Sequence, residues 1–210
     1  MKNKLLLFFK TALFCLILIS CSEINRLENV NKVLLFGDSL MSGYGLKENQ
    51  ALSIILENDL KNAGYNIKII NGSVSGDTSK DGLDRIKEYA SGTDIDLIIL
   101  GLGANDMLRR INPDQTQSNL RKIIEIIKTK NIKIILAGMK ASPANGLAYK
   151  KKFDDIFPKL ANEYDLAFIP FLLKKVALNP KLNQSDSIHP NFEGVKVISE
   201  TIKESIINLD

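Results

Sequence analysis

The 210-residue sequence predicts a three-layer α/β/α sandwich built on a five-stranded parallel sheet. Three observations lead there. Five short apolar runs are spaced widely along the chain: "KVLLF" at 32–36, "IKII" at 67–70, "DLIIL" at 96–100, "KIILA" at 133–137 and "AFIP" at 167–170. Four of these are rich in Ile, Leu or Val without polar alternation, the pattern of strands covered on both faces. Helical patterns occupy the intervals, and strand, helix, strand in repeated order makes parallel pairs through helical crossovers.

Each element has its own signal. The first run stops at Gly37 and a cluster of small and polar residues. "QALSIILENDLKNAG", residues 50–64, places Leu52, Ile55, Leu56 and Leu60 at helical spacing and ends on Gly64, a C-terminal stop. "SNLRKIIEIIKTKN", residues 118–131, puts Leu120, Ile123, Ile124 and Ile127 on one face. Residues 149–164 read as a helix with Pro158 marking a kink, and residues 191–209 as the last helix. There is no internal repeat and no low-complexity segment, so residues 32–210 read as one domain.

The first 20 residues read differently. Lys2 and Lys4 precede an apolar stretch that ends at Ser20-Cys21, the layout of a secretory signal. Its uninterrupted part, Thr11 to Ile19, is shorter than the ~20 residues that span a bilayer. "Leu18-Ile19-Ser20-Cys21" resembles the lipobox of bacterial lipoproteins. That resemblance implies cleavage before Cys21 and a lipid anchor on it, with residues 21–31 as a polar tether. The expected location is therefore outside the cytoplasm, anchored to a bacterial membrane and facing the periplasm or the cell exterior. Cys15 and Cys21 are the only cysteines, so the domain has no thiol and can hold neither a disulfide nor a cysteine-based metal site.

Charge excludes another class. Without Lys2, Lys4 and Lys10 the 28 basic residues fall to 25, against 24 acidic ones. A nearly neutral domain lacks the electrostatic footprint of nucleic-acid binding. The run Lys150-Lys151-Lys152 reads as a solvated helix face, with contact to anionic lipid as the alternative.

In sheets of this kind ligands bind beyond the carboxyl ends of the strands. Those ends carry unusual residues here. "LLFGDSLMSGYG" presents Ser39 after the first strand, "NGSVSGDTS" lines the second with small residues, and "GLGAND" puts Asn105 beyond the third. The lone histidine, His189, follows Asp186 by three residues and precedes a proline and the last helix. Asp186 can hold one imidazole nitrogen while the other faces a serine hydroxyl, which is too weakly acidic to attack unaided. Asp38 reads as a brace for its turn, with no chemical step assigned. Asp77 is weighed as a metal ligand and set aside, since the chain offers one histidine and no acid cluster beside it.

With four blocks in order, Gly37-Asp38-Ser39-Leu40, Ser75-Gly76-Asp77, Gly103-Ala104-Asn105-Asp106 and Asp186 through His189, the chain resembles the SGNH hydrolases of the GDSL type. The similarity runs from about Lys32 to the C-terminus and is greatest to bacterial arylesterases, thioesterases I and lysophospholipases. It implies the flavodoxin-like SGNH fold, with Ser39 as nucleophile, His189 as general base and then acid, and Asp186 as its orienting carboxylate. It also implies an oxyanion hole from the N–H groups of Ser39 and Gly76 and the side-chain amide of Asn105. No cofactor and no metal are implied, and the expected substrates are small acyl esters, lysophospholipids or thioesters, handled by a monomer.

Leu108, Ile111, Met139 and Leu147 are candidates for an acyl-chain wall, and Arg109 and Arg110 for a phosphate contact. Two other readings fit the same residues. One is a carbohydrate O-acetylesterase of the same fold, separated by chain-length preference. The other is a noncatalytic binding lipoprotein, excluded if a fluorophosphonate reacts with Ser39.

Overall fold

The computed structural model describes residues 30–92 and 94–209. The expected leader and Cys21 lie outside them. The strands are β1 (Lys32–Gly37), β2 (Lys68–Asn71), β3 (Leu97–Gly101), β4 (Lys133–Ala137) and β5 (Ala167–Ile169). They form one parallel sheet in the order β2-β1-β3-β4-β5. Every residue of β3 is buried, as is β1 from Val33 onward, so the unbroken apolar runs do reflect cover on both faces.

The main helices are α1 (Ser39–Ser42), α2 (Leu52–Asn62), α3 (Ser79–Gly92), α4 (Ala104–Leu108), α5 (Pro113–Lys128), α6 (Leu147–Asp154), α7 (Ile156–Tyr164) and α8 (Phe192–Ile207). α2 packs against α8, and α3 against α5. The apolar faces anticipated in α2 and α5 are the buried ones: Leu52, Leu56 and Leu60, and Leu120, Ile123, Ile124 and Ile127. Burying each such side chain stabilises the fold by roughly 1.5–3 kcal/mol relative to leaving it in water.

Two elements differ from expectation. α3 is not among the helical patterns read above: its apolar residues Leu83, Ile86, Tyr89 and Ala90 do keep helical spacing, but they begin only after an internal glycine, Gly82. Gly82 packs so tightly that a Cβ there would meet Leu102 Cδ1 at 2.2 Å. The helix expected over 149–164 is two helices, broken at Asp155 rather than at Pro158. Pro158 has no N–H to reach the carbonyl one turn back, so the hydrogen-bond ladder cannot pass it, and Pro158 sits in the first turn of α7 where that donor is not needed.

Strand order reverses between β1 and β3, and the crevice beyond that point is where such sheets place ligands. The two strands end together, with Gly37 paired to Gly101. Met41 from α1 fills the space above both: a Cβ on either glycine would lie 2.5 Å from its Sδ. Glycine at both positions thus lets the turn after β1 sit down on the sheet.

Candidate active site

Ser39 begins α1, and Asp38 caps that helix by accepting the Leu40 N–H at 3.0 Å. Gly43, in the left-handed region at φ 89°, ends it four residues later. The short helix therefore fixes both the hydroxyl and the N–H of Ser39. Ser39 Oγ lies 3.0 Å from Nε2 of His189, and His189 Nδ1 lies 2.7 Å from Oδ2 of Asp186. The other Asp186 oxygen accepts the N–H groups of Ile188 (2.9 Å) and His189 (3.0 Å). The loop closes through Ser187 at φ 62°, so acid and base are locked in one tight turn.

Those bonds set the charge of Asp186. The His189 N–H, the imidazole and the Ile188 N–H hold its carboxyl down to about 2. It remains an acceptor, with the histidine Nδ1–H pointed at it and Nε2 turned to the serine.

The β2 loop is tied to the end of β1. Val74 N donates to the Gly37 carbonyl at 3.1 Å, and Ser73 Oγ to that of Leu35 at 3.1 Å. Arg85 clamps the junction: Nε contacts Asp77 Oδ2 at 2.6 Å, Nη2 donates to the Gly37 carbonyl at 3.1 Å, and the guanidinium lies 4.0 Å from the Phe36 ring centroid. Asp77, weighed above as a ligand, is thus the partner of an arginine. Asn105 Nδ2 donates to the Asp77 carbonyl at 2.9 Å, and Arg109 Nη2 to that of Gly76 at 2.8 Å. An amide carries two N–H donors, so Asn105 keeps one to offer.

Gly76 has φ 90°, a conformation that costs other residues strain, whereas a Cβ there would find nothing nearer than Arg109 Nη2 at 3.9 Å. Conformation, rather than crowding by the protein, is what the glycine answers. Among the described residues, the N–H groups of Ser39 and Gly76 donate to no protein acceptor. Two backbone donors and one amide donor are therefore left open at the end of the sheet that also carries a hydroxyl paired with an imidazole.

Residues 35–197 match the GDSL-like lipase/acylhydrolase family. The chain belongs to it. It is 34% identical to an arylesterase of Vibrio mimicus over 84% of this chain and 88% of the relative. It is 32% identical to thioesterase 1/protease 1/lysophospholipase L1 of Escherichia coli strain K12, over 86% of each. The crystal structure of AlinE4, an SGNH-hydrolase family esterase, superposes with a TM-score of 0.73 at 40% identity, covering 86% of this chain and 97% of that one.

The GDSL domain also contains groups whose part is not evident from its motifs. Asp106, next to Asn105, is fully buried and accepts Ser79 N (2.7 Å), Ser79 Oγ (2.5 Å) and Thr116 Oγ1 (2.9 Å), which anchors α4 to α3 and α5. The ring of Tyr44 lies 4.4 Å from that of His189, tilted by 40°, and covers the imidazole. Gln184 Nε2 holds that arrangement by donating to the carbonyls of Tyr44 (2.8 Å) and Pro190 (2.9 Å). "SGYG" is the trace Tyr44 leaves in the sequence, an aromatic between two glycines; Gln184 leaves none.

Of the acyl-wall candidates, three share a rim. Asn145 Nδ2 donates to the Met107 carbonyl at 3.1 Å and Tyr149 Oη to that of Ile111 at 2.9 Å, so the loops bearing Leu108, Ile111 and Leu147 are joined. Leu108 and Leu147 are 51% and 80% exposed, free to meet a substrate. Met139 is not with them. It is 3% exposed and belongs to the core, because Gly138 is still held by the Ile169 carbonyl and carries the chain on as a continuation of β4.

Asp38 leads to a prediction about stability. It is fully buried, one oxygen has no partner, and burial with Asp106 and Asp77 nearby pushes its carboxyl up to about 7. A folded-state value above the unfolded one means the folded chain holds a proton that the unfolded chain releases. Stability from this group is therefore full below about pH 4 and is lost as pH rises through about 7. Asp38→Asn keeps the acceptor for Leu40 and removes the titration. Its melting temperature relative to wild type is expected to rise between pH 4 and 7. A difference that stays constant across that range would remove the claim.

Proposed function

We propose that this GDSL domain is a serine esterase that cleaves carboxylic esters of small alcohols, phenols and lysophospholipids through an acyl-enzyme. The observation that carries the reading is the continuous chain from Asp186 through His189 to Ser39, and the open donors of Gly76 and Asn105 on the loops after the two neighbouring strands support it. Ser39 Oγ attacks the acyl carbonyl as His189 Nε2 takes its proton, and Asp186 balances the imidazolium. The carbonyl oxygen becomes anionic and is met by the N–H groups of Ser39 and Gly76 and by Asn105. The C–O bond to the leaving group then breaks as His189 returns the proton to it. Water, deprotonated by His189, attacks the acyl-serine, releases the acid and restores Ser39.

Thioesters need the same machinery, and the Escherichia coli relative carries both names. Esters and lysophospholipids are preferred here because acyl-coenzyme A would not be met outside the cytoplasm. The test is the initial rate of the full chain and of Ser39→Ala on p-nitrophenyl esters from acetyl to palmitoyl and on a lysophospholipid. A broad acyl range lost in the variant supports this reading. Activity on acetyl alone moves it to carbohydrate deacetylation.

Asn105→Ala is expected to lower kcat by roughly 100- to 1,000-fold with little change in KM, the signature of a donor used in the transition state. An unchanged kcat would take Asn105 out of the mechanism.

The sequence also supports export and anchoring, through the Lys2/Lys4 leader ending at Ser20-Cys21 and a domain without thiols. Labelled palmitate is expected to enter the wild-type chain in bacterial cells and not Cys21→Ser. Equal labelling of both would end the proposal. All the site groups come from one chain, so a monomer suffices.

A further inference from the structure

The exposed large apolar side chains among the described residues are confined to one end. Among the described residues, Ile54 lies in the first turn of α2 and Tyr44 just after α1. Val74 follows β2, Leu108 ends α4, Leu147 opens α6, and Leu178 and Ile188 lie between β5 and α8. All of these positions fall between the carboxyl end of a strand and the first turn of the helix that leads back. The opposite end of the sheet has no large one among the described residues.

Contacts already described join several of them around Ser39. Tyr44 covers His189, whose neighbour is Ile188. On the other side, Arg109 binds the Gly76 carbonyl, two residues beyond Val74, and follows Leu108, while Asn145 ties the Leu147 loop to Met107. A soluble surface rarely gathers its exposed apolar groups this way unless something covers them.

Charge indicates what does. The segments after β3, β4 and β5 (107–111, 138–152 and 171–188) contain nine basic side chains and one carboxylate, Asp186, which His189 takes up. Asp154 and Asp114 pair with Lys150 and Lys152, and the other seven form no ion pair among the described residues. The domain as a whole is nearly neutral, so this excess belongs to one end. Leu147, 80% exposed, and Lys151 lie one turn apart on the same face of α6. That pairing suits an aliphatic group among acyl chains with a cation at the phosphate level.

We propose that this end of the molecule docks on the surface of an anionic phospholipid bilayer, so that the site draws acyl substrate directly from the lipid phase. The proposal rests on the ester-hydrolase reading above.

The test compares the full chain with the triple variant Leu178→Asp/Lys151→Glu/Lys175→Glu. None of these residues touches the catalytic groups, and Leu178 at φ 63° accepts Asp readily. Both proteins carry the same N-terminal segment, so its membrane affinity cancels. Rates are measured on dissolved p-nitrophenyl butyrate and on a long-chain p-nitrophenyl ester held in phosphatidylglycerol or phosphatidylcholine vesicles. The dissolved rates are expected to agree.

Each basic group near an anionic surface contributes roughly five-fold in partitioning, so the variant is expected to be at least about ten-fold slower on phosphatidylglycerol, and much closer to wild type on phosphatidylcholine. Equal rates on phosphatidylglycerol would overturn the docking face, and an equal defect on both lipids would overturn its preference for anionic lipid. If wild type fails on the dissolved ester, the ester-hydrolase reading falls, and vesicle flotation of the two proteins still decides docking. Wild type floating more than the variant with phosphatidylglycerol supports it, and equal flotation overturns it.

Discussion

Ser39→Ala is expected to lower kcat by about 10⁵- to 10⁶-fold, the loss seen when a serine hydrolase loses a nucleophile that works as one unit with its base. The structure explains why the fold should survive. Ser39 Oγ contacts His189 Nε2 at 3.0 Å, and the cap of α1 is made by Asp38. Alanine in the first position of α1 removes one hydroxyl and leaves the Ser39 and Gly76 N–H groups where they were. A residual rate above the uncatalysed one is expected, since those donors would still meet the carbonyl oxygen.

The sharper test is additivity. If Ser39 and His189 act as one unit, Ser39→Ala/His189→Ala should be no slower than either single variant. Independent contributions would instead multiply. Retention of activity within ten-fold in Ser39→Ala, with an unchanged melting temperature, would remove Ser39 as nucleophile. Failure of the wild-type chain itself to react with a fluorophosphonate would favour a binding lipoprotein.

Much of this arrangement is legible in the sequence because burial on both faces and exposure at a rim leave different marks. The runs "KVLLF" and "DLIIL" lack alternation since both faces of β1 and β3 are covered, and that alone implies a parallel sheet with helices on either side. Such a sheet has one functional end, which turns Ser39, Gly76, Asn105 and His189 from scattered residues into neighbours. What stays hidden depends on contacts between distant loops. Nothing in Gln184 signals that it pins Tyr44 over His189, and Arg85 looks like any helical surface arginine until its three contacts to Asp77, Gly72 and Gly37 are seen. The place of Met139 after β4 points to the rim, but one further register contact, Gly138 to Ile169, returns it to the core. α3 keeps helical spacing at Leu83, Ile86 and Ala90, yet part of its fit is made by Gly82 against Leu102, and a glycine adds nothing to an apolar pattern.

Asp186→Asn should have the second-largest effect, a loss of roughly 10⁴-fold in kcat at neutral pH, as for the corresponding carboxylate-to-amide change in another serine hydrolase. The amide keeps an oxygen at Oδ1, so the N–H groups of Ile188 and His189 retain their acceptor and the turn through Ser187 holds. At Oδ2 it places an NH2 group against His189 Nδ1, 2.7 Å away in the wild type. Nδ1 must then accept, which moves the ring proton to Nε2, and a protonated Nε2 cannot take the proton of Ser39. Asp186→Ala would confuse this tautomer effect with collapse of the turn, so the amide is the cleaner change. The carboxylate is held down to about 2 by those same N–H groups and the imidazole. Its contribution to stability is thus present above about pH 4 and lost only as pH falls through about 2. No recovery or loss of wild-type activity between neutral pH and pH 5 should then be traceable to Asp186. Asparagine retaining more than a tenth of wild-type kcat would show that Asp186 only shapes the turn, and the orientation of His189 would have to be assigned to Tyr44.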